Sequence, residues 1–177
     1  MDPQQVVRGD DGVMRCKQCG FAYEHDATET ARLAGDGFEA FQFAVLAVPE
    51  RVQARRPAAD VWSVNAYAAH VAEAATVTYE RVRNIAEQDH PTLEWYDENE
   101  AVTRGNYDER PAVESLEPLR ESVAAFRRFL EELEPGAWDR VGVHTRAGEV
   151  RLSEIAQDMP HELEHHADDI MRIGAGG

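Results

Sequence analysis

The sequence has little positive charge, few cysteines and no long apolar segment. Lys and Arg total 18 against 34 Asp and Glu among 177 residues, which gives a formal net charge of −16. Such a surface repels phosphate backbones and anionic membranes, so we expect no nucleic-acid or membrane partner. No apolar run approaches the roughly 20 residues that span a bilayer, and the N-terminus lacks a signal-peptide core, so we expect a cytoplasmic protein.

Several catalytic motifs are also missing. The sequence contains no glycine-rich phosphate loop and no nucleophile elbow, so it gives no support to nucleotide chemistry or to a serine triad. No internal repeat is present. Hydrophobic residues nevertheless make up 43% of the chain, which is enough for one globular domain with a core.

Four long segments carry apolar residues at the spacing of amphipathic helices. They span about residues 27–55, 63–88, 112–134 and 153–173. Pro49 is expected to kink or shorten the first segment, and Ser63 to cap the second. The predicted buried stripe of the third segment contains Val113, Leu116, Leu119, Val123, Phe126, Phe129, Leu130 and Leu133. This pattern predicts an all-α protein, a four-helix bundle.

Shorter segments flank and connect these helices. Residues 1–12 show little periodicity, so we expect a loose tail there. A short helix is predicted around residues 97–103, and the alternation over residues 138–150 favours a hairpin or an extended loop. The glycine-rich end over residues 174–177 is expected to fray.

The two cysteines, Cys16 and Cys19, form a C-x-x-C motif followed by Gly20 and nearby aromatic residues. This is the pattern of a zinc knuckle, in which glycine permits the tight turn around the metal. In a reducing compartment the spacing indicates metal binding or redox activity rather than a structural disulfide. No βαβ pattern surrounds the motif, which disfavours a redox role, and two idle thiols remain an alternative.

The segment from His161 to Asp169 concentrates histidines and carboxylates on a predicted helix. Its periodicity places Glu162 and His166 beside the apolar face. His161 and His165 fall on the opposite, outward face. Each pair is four residues apart, the spacing at which two side chains can share a metal ion. The segment also matches the H-E-x-x-H signature of zinc proteases, but we discount it because no third ligand follows and the apolar face lies elsewhere.

Three stretches of the sequence share the order and spacing of one known family. They are Trp62 to His70 in the second helix, the acidic connector over residues 96–109, and Glu162-x-x-x-His166 in the fourth helix. Through them, residues 27–173 resemble the DinB-like superfamily of small bacterial metal-binding proteins, including its mycothiol-dependent maleylpyruvate isomerase branch. We expect a DinB-like four-helix bundle over residues 27–174. The zinc-knuckle arm over residues 1–26 is an addition that the family pattern does not require.

The resemblance implies that His70, Glu162 and His166 bind a divalent metal ion, for which we expect zinc, with open positions for water or substrate. Two nitrogens and one carboxylate oxygen also form the three-ligand set of a catalytic zinc site. Without the resemblance, His70 alone would be interpreted as a core histidine. Asp169 is expected either to orient a metal ligand or to face solvent.

Relatives of known activity in this family attach or use low-molecular-weight thiols. The resemblance therefore implies a metal-dependent S-transferase or isomerase whose partners are mycothiol or a similar thiol and a small electrophile. The alternative is a non-catalytic metal-binding or stress-response protein in which the zinc is structural. A closed site with four protein ligands would favour that alternative. The sequence leaves open whether the protein is a homodimer.

The C-x-x-C motif supplies only half of a four-ligand site. His161 and His165 have no role in the inner site, and with Cys16 and Cys19 they form a Cys2His2 set. Such a set is typical of closed, structural zinc sites. We therefore expect the arm to fold across the fourth helix, with two metal ions per chain. Two alternatives stay open: both histidines are ordinary surface residues, or His25 replaces one of them.

Overall fold

The computed structural model describes residues 6–175. Its helices are α1 (Ala27–Ala47), α2 (Glu50–Gln53), α3 (Val64–Glu87), α4 (Glu98–Gly105), α5 (Ala112–Glu131), α6 (Leu152–Ala156) and α7 (Asp158–Ala175). Its strands are β1 (Val6–Arg8), β2 (Met14–Cys16), β3 (Thr92–Leu93), β4 (Val141–His144) and β5 (Gly148–Arg151). Residues 1–5 of the expected tail and residues 176–177 of the expected frayed end lie outside the described range.

The four long helices α1, α3, α5 and α7 form a four-helix bundle, which confirms the predicted fold. α1 packs against α5 and α7, and α3 packs against the same two helices. Each long helix contributes to the core a fully buried side chain, respectively Phe41, Val82, Phe126 and Leu163. A Cβ atom on Gly37 would lie 3.0 Å from the Cβ atom of Leu163, so glycine allows α1 and α7 to approach closely.

Pro49 makes α1 shorter than predicted. α1 ends at Ala47 and the short helix α2 follows, so the expectation of one helix to residue 55 was wrong in extent. Pro49 has no N–H to donate to the carbonyl of Val45. This carbonyl instead accepts from the N–H of Val48 at 3.3 Å and from the side chain of Gln53 at 3.1 Å. A tighter backbone turn and a buried side chain together satisfy the carbonyl that cannot accept from Pro49.

The second predicted helix is confirmed and the fourth is divided. Ser63 caps α3 by accepting a hydrogen bond from the N–H of Ala66, as expected. The fourth segment consists of α6 and α7, which are separated by a turn at Gln157. Pro160 cannot donate to the carbonyl of Ala156, and a proline is tolerated in the first turn of a helix. The chain therefore restarts a helix, α7, just before Pro160.

The N-terminal segment and the third helix also differ from expectation. β1 pairs antiparallel with β2, so residues 6–12 belong to a hairpin rather than to a loose tail. Strands of three residues are too short to show an alternating pattern. Val113 is 58% exposed because Ala112, not Val113, faces the core at the start of α5. α5 ends at Glu131 instead of residue 134.

A small sheet lies beside the bundle. β4 pairs in parallel with β3 and antiparallel with β5, in the order β3-β4-β5. The hairpin of β4 and β5 confirms the turn predicted over residues 138–150, and α4 confirms the short helix predicted around residues 97–103. No helix within the described range is long and apolar enough to cross a membrane.

Candidate metal centre

His70 lies two turns into α3, with its side chain only 1% exposed. The cap at Ser63 fixes where α3 begins, and the helical register then directs His70 towards α7. The ring centroid of Trp62 lies 5.0 Å from that of His70, and the ring of Tyr96 stacks at 6.4 Å. These aromatic rings restrict the orientation of the imidazole.

Glu162 and His166 lie one turn apart on α7 and meet His70 across the bundle. The Oε2 atom of Glu162 lies 3.2 Å from Nε2 of His70 and 3.2 Å from Nε2 of His166. A tetrahedral zinc ion with bonds of about 2.0–2.2 Å separates a nitrogen and an oxygen ligand by roughly 3.4 Å. The structure thus brings the three predicted inner-site residues together at distances that a shared ion fits.

Asp169 holds the ring of His166 from behind. Its Oδ2 atom lies 2.9 Å from Nδ1 of His166, and Arg172 donates to its Oδ1 atom at 2.7 Å. A carboxylate on the second ring nitrogen fixes the tautomer and orientation of a metal-binding histidine. We expected Asp169 either to orient a metal ligand or to face solvent. Its side chain is only 14% exposed and contacts His166, so the structure shows the first of these two positions.

The Glu162 carboxylate brings a negative charge into the site. Burial raises the pKa of the Glu162 carboxyl, but hydrogen bonds with three neighbouring histidines outweigh burial and hold the pKa well below its usual range. Burial lowers the pKa of His166, whereas its contacts with Asp169 and Glu162 raise that pKa to about 9. The negative charge of Glu162 therefore favours a bound cation. A metal ion at His166 would have to displace the proton from that ring.

Solvent reaches the group on the side of Glu162 and Glu98. The Glu162 side chain is 26% exposed. The Glu98 side chain is 52% exposed, and its Oε2 atom lies 3.9 Å from Nε2 of His70. Among the described residues, the potential metal-binding group at this point consists of His70, Glu162 and His166, without Glu98. Three protein ligands leave coordination positions for water or substrate.

Sequence reasoning did not assign Glu98 and Tyr96 to the site. Both belong to the acidic connector that contributed to the family resemblance, and this was the only available signal. Tyr96 donates a hydrogen bond to Glu73 at 3.2 Å, which fixes the ring above His70. Glu98 and Tyr96 lie near His70 because the connector after α3 folds back against that helix. No local sequence pattern predicts this path of the chain.

A second group lies on the outward face of α7. Ligand atoms of Cys16, Cys19, His161 and His165 all lie within 4.8 Å of one another. The four residues of the predicted outer site therefore converge in the structure. His25 is not part of this group; its ring packs against Phe21 at 5.5 Å.

Comparisons with known proteins agree with this fold. The family model of the DinB superfamily matches residues 38–170. No curated protein sequence matches the chain. Among solved structures, YfiT from Bacillus subtilis, described as a probable metal-dependent hydrolase with an unusual four-helix bundle topology, has a TM-score of 0.77. It is 16% identical, over 85% of this chain and 86% of YfiT.

A second similar structure is a mycothiol-dependent maleylpyruvate isomerase, with a TM-score of 0.67 and 19% identity. The match covers 82% of this chain but only 61% of the isomerase, so the isomerase contains a large region with no counterpart here. A point variant of the isomerase gives the same TM-score with 17% identity. At these identities both neighbours show the fold alone.

Proposed function

The chain belongs to the DinB superfamily, and from this premise we propose that it is a metal-dependent enzyme that uses a low-molecular-weight thiol. His70, Glu162 and His166 bind one divalent ion, for which zinc fits the ligand set best. The observation that carries the proposal is the placement of Glu162 Oε2 3.2 Å from the Nε2 atoms of both histidines. The reaction class is S-transfer or isomerisation.

The donor set suits a catalytic metal ion. Two imidazole nitrogens and one carboxylate oxygen are the ligands that hold zinc in several hydrolytic sites with an open position. When bound, the metal would supply Lewis acidity that lowers the pKa of a coordinated thiol and so favours the thiolate nucleophile. Glu162 contributes the charge, and Asp169 keeps Nε2 of His166 directed towards Glu162.

Glu98 is placed to handle the proton that a thiol must lose. Its Oε2 atom lies 3.9 Å from Nε2 of His70, and half of its side chain is in solvent, so a proton accepted there can pass to water. The aromatic rings of Trp62 and Tyr96 pack against the His70 ring and keep that part of the site largely apolar. The thiol, mycothiol or a similar one, and the electrophile would approach from the side of Glu98.

The alternative function is non-catalytic metal binding, and Glu98 is also the observation that favours it. A rotation of the Glu98 side chain could bring its carboxylate into a fourth coordination position, which would close the site. The ion would then serve only to join α3 to α7. The two functions differ in whether an external thiol can reach the metal.

A cobalt titration tests the proposal. The Cys16→Ser/Cys19→Ser variant removes the protein's own thiols and is loaded with Co²⁺. Mycothiol, and separately cysteine and glutathione, are then added while the absorption spectrum is recorded. We expect a saturable sulfur-to-cobalt charge-transfer band, which a further His70→Ala substitution abolishes. Bound cobalt without such a band for any thiol would contradict the proposal and favour the non-catalytic alternative.

Thiols that give the band then enter a screen with small electrophiles. The expected result is a rate of thiol consumption that depends on metal and falls to the uncatalysed rate in the His70→Ala protein. His90→Ala is the matched control, because His90 is an exposed histidine with 58% of its side chain in solvent.

A further inference from the structure

The N-terminal C-x-x-C motif forms a tight turn that directs both sulfur atoms to one side. The N–H of Gly20 donates to the carbonyl of Cys16 at 3.0 Å, and the N–H of Cys16 donates to the carbonyl of Phe21 at 2.9 Å. Gly20 has a φ of +81°, a left-handed conformation that favours glycine. The backbone of the motif is therefore folded as a metal knuckle requires.

The arm, residues 6–26, lies against the outward face of α7. The rings of Phe21 and Tyr23 pack on the ring of His161, with centroids at 5.6 and 5.5 Å. The backbone N–H of His25 donates to the side chain of Gln157 at 2.9 Å. These contacts bury His161 to 9% exposure, although helical periodicity places it on the side away from the bundle core.

The four potential ligand atoms lie within 4.8 Å of one another, close enough to share one ion. Cys16 Sγ lies 3.6 Å from Nδ1 of His165. Zinc bonds of about 2.3 Å to sulfur and 2.0–2.1 Å to nitrogen would separate these atoms by roughly 3.5 Å. The Nε2 atom of His161 is buried and has no hydrogen-bond partner among the described residues. A buried ring nitrogen without a partner is costly unless a ligand uses it.

We propose that Cys16, Cys19, His161 and His165 bind a second metal ion, a zinc, in a closed site that fixes the arm to α7. The proposal does not depend on the function of the inner site. All four positions are occupied by protein, so the ion has a structural role. The arm contributes little apolar core of its own, and metal ligation supplies the free energy that keeps it on the bundle.

Two carboxylates connect the outer site to the inner one. His161 Nδ1 lies 3.5 Å from Oε1 of Glu162, and His165 Nε2 lies 3.7 Å from Oδ2 of Asp169. At these distances each carboxylate lies beside one ring nitrogen of a histidine without a hydrogen bond to it. The other ring nitrogen of His165 faces Cys16. Since Glu162 and Asp169 also belong to the inner site, the two groups of potential ligands are neighbours on α7.

Metal stoichiometry tests this site. The protein is loaded with zinc and freed of excess metal, and its zinc content is measured by elemental mass spectrometry. We expect two ions per wild-type chain and one in Cys16→Ser/Cys19→Ser. His161→Ala/His165→Ala should also hold one, whereas the control Gln18→Ser, an exposed residue of the same turn, should hold two. Circular dichroism confirms that each variant keeps its helices.

A second measurement uses the wild-type chain and so avoids any folding defect of the variants. An organomercurial that reacts with both thiols should release one zinc per chain as the thiols are consumed, with the second ion retained. The proposal is overturned if both thiols react without zinc release, or if the wild-type chain holds one ion that the cysteine variant keeps. If the cysteine variant loses an ion and the histidine variant does not, the assignment of His161 and His165 is wrong.

Discussion

Nε2 of His70 and Oε2 of Glu162 lie 3.2 Å apart although 92 residues separate them in the sequence. The contact depends on two long helices, since His70 is on α3 and Glu162 is on α7. The buried Leu163, which has no exposed surface, fixes the rotation of α7 beside its neighbour Glu162. Sites built on packed helices keep their geometry better than sites built on loops. The bundle therefore preorganises the three side chains of the proposed inner metal site.

Asp169→Asn should weaken metal binding at the inner site by about 10–100-fold without abolishing it, as is usual when a supporting carboxylate is removed. The amide retains the size of the side chain but loses the charge that orients His166. Competition with a chelator in the Cys16→Ser/Cys19→Ser background measures the affinity. An affinity equal to that of the parent variant would show that Asp169 does not support the site.

Glu98→Gln distinguishes the two roles open to Glu98. If Glu98 accepts the proton of the thiol, the variant should retain its metal with unchanged affinity. The thiol-to-cobalt charge-transfer band should then appear only at higher pH, because no carboxylate accepts the proton. A large loss of metal affinity with an unchanged thiol titration would instead identify Glu98 as a fourth ligand.

Gly20→Ala should weaken the outer metal site through backbone strain alone. A side chain at Gly20 would contact nothing within 4 Å, but the φ of +81° costs a non-glycine residue about 1–2 kcal/mol. The affinity for the outer ion should fall roughly 5–30-fold. The matched control is Gly136→Ala, which also meets nothing within 4 Å and has no left-handed φ. Equal affinities in the two variants would contradict this explanation.

Chelation should lower the free energy of unfolding in proportion to the number of sites. An ion present at 100 times its dissociation constant stabilises the native state by about 2.7 kcal/mol per site. Urea unfolding with and without chelator measures this change. The chelator should lower the free energy of unfolding of the wild type about twice as much as that of Cys16→Ser/Cys19→Ser. The variant that also carries His70→Ala should not respond. A full response in that variant would show that the stabilising ion binds elsewhere.

Helical periodicity was sufficient to predict the bundle and the two faces of α7. The spacing of Glu162 and His166 placed both beside the core, and that of His161 and His165 placed both outside it. The N-terminal hairpin escaped prediction because its strands are only three residues long.

The location of His70 beside α7 needed the family resemblance, because a lone histidine on an apolar face does not reveal which helix it meets. The contact of Glu98 with His70 could not be predicted at all. It depends on where the connector crosses α3, which is a tertiary property without a local sequence pattern.

The metal content of the Cys16→Ser/Cys19→Ser variant, with and without a ligand of the inner site, tests the central claim most directly. The account predicts one equivalent per chain in this variant. It predicts none after a further change of His70, Glu162 or His166 to alanine, and one equivalent in the control with His90→Ala. If the variant with His70→Ala retains a full equivalent while its helices remain folded, the ion does not bind between α3 and α7, and the account is contradicted.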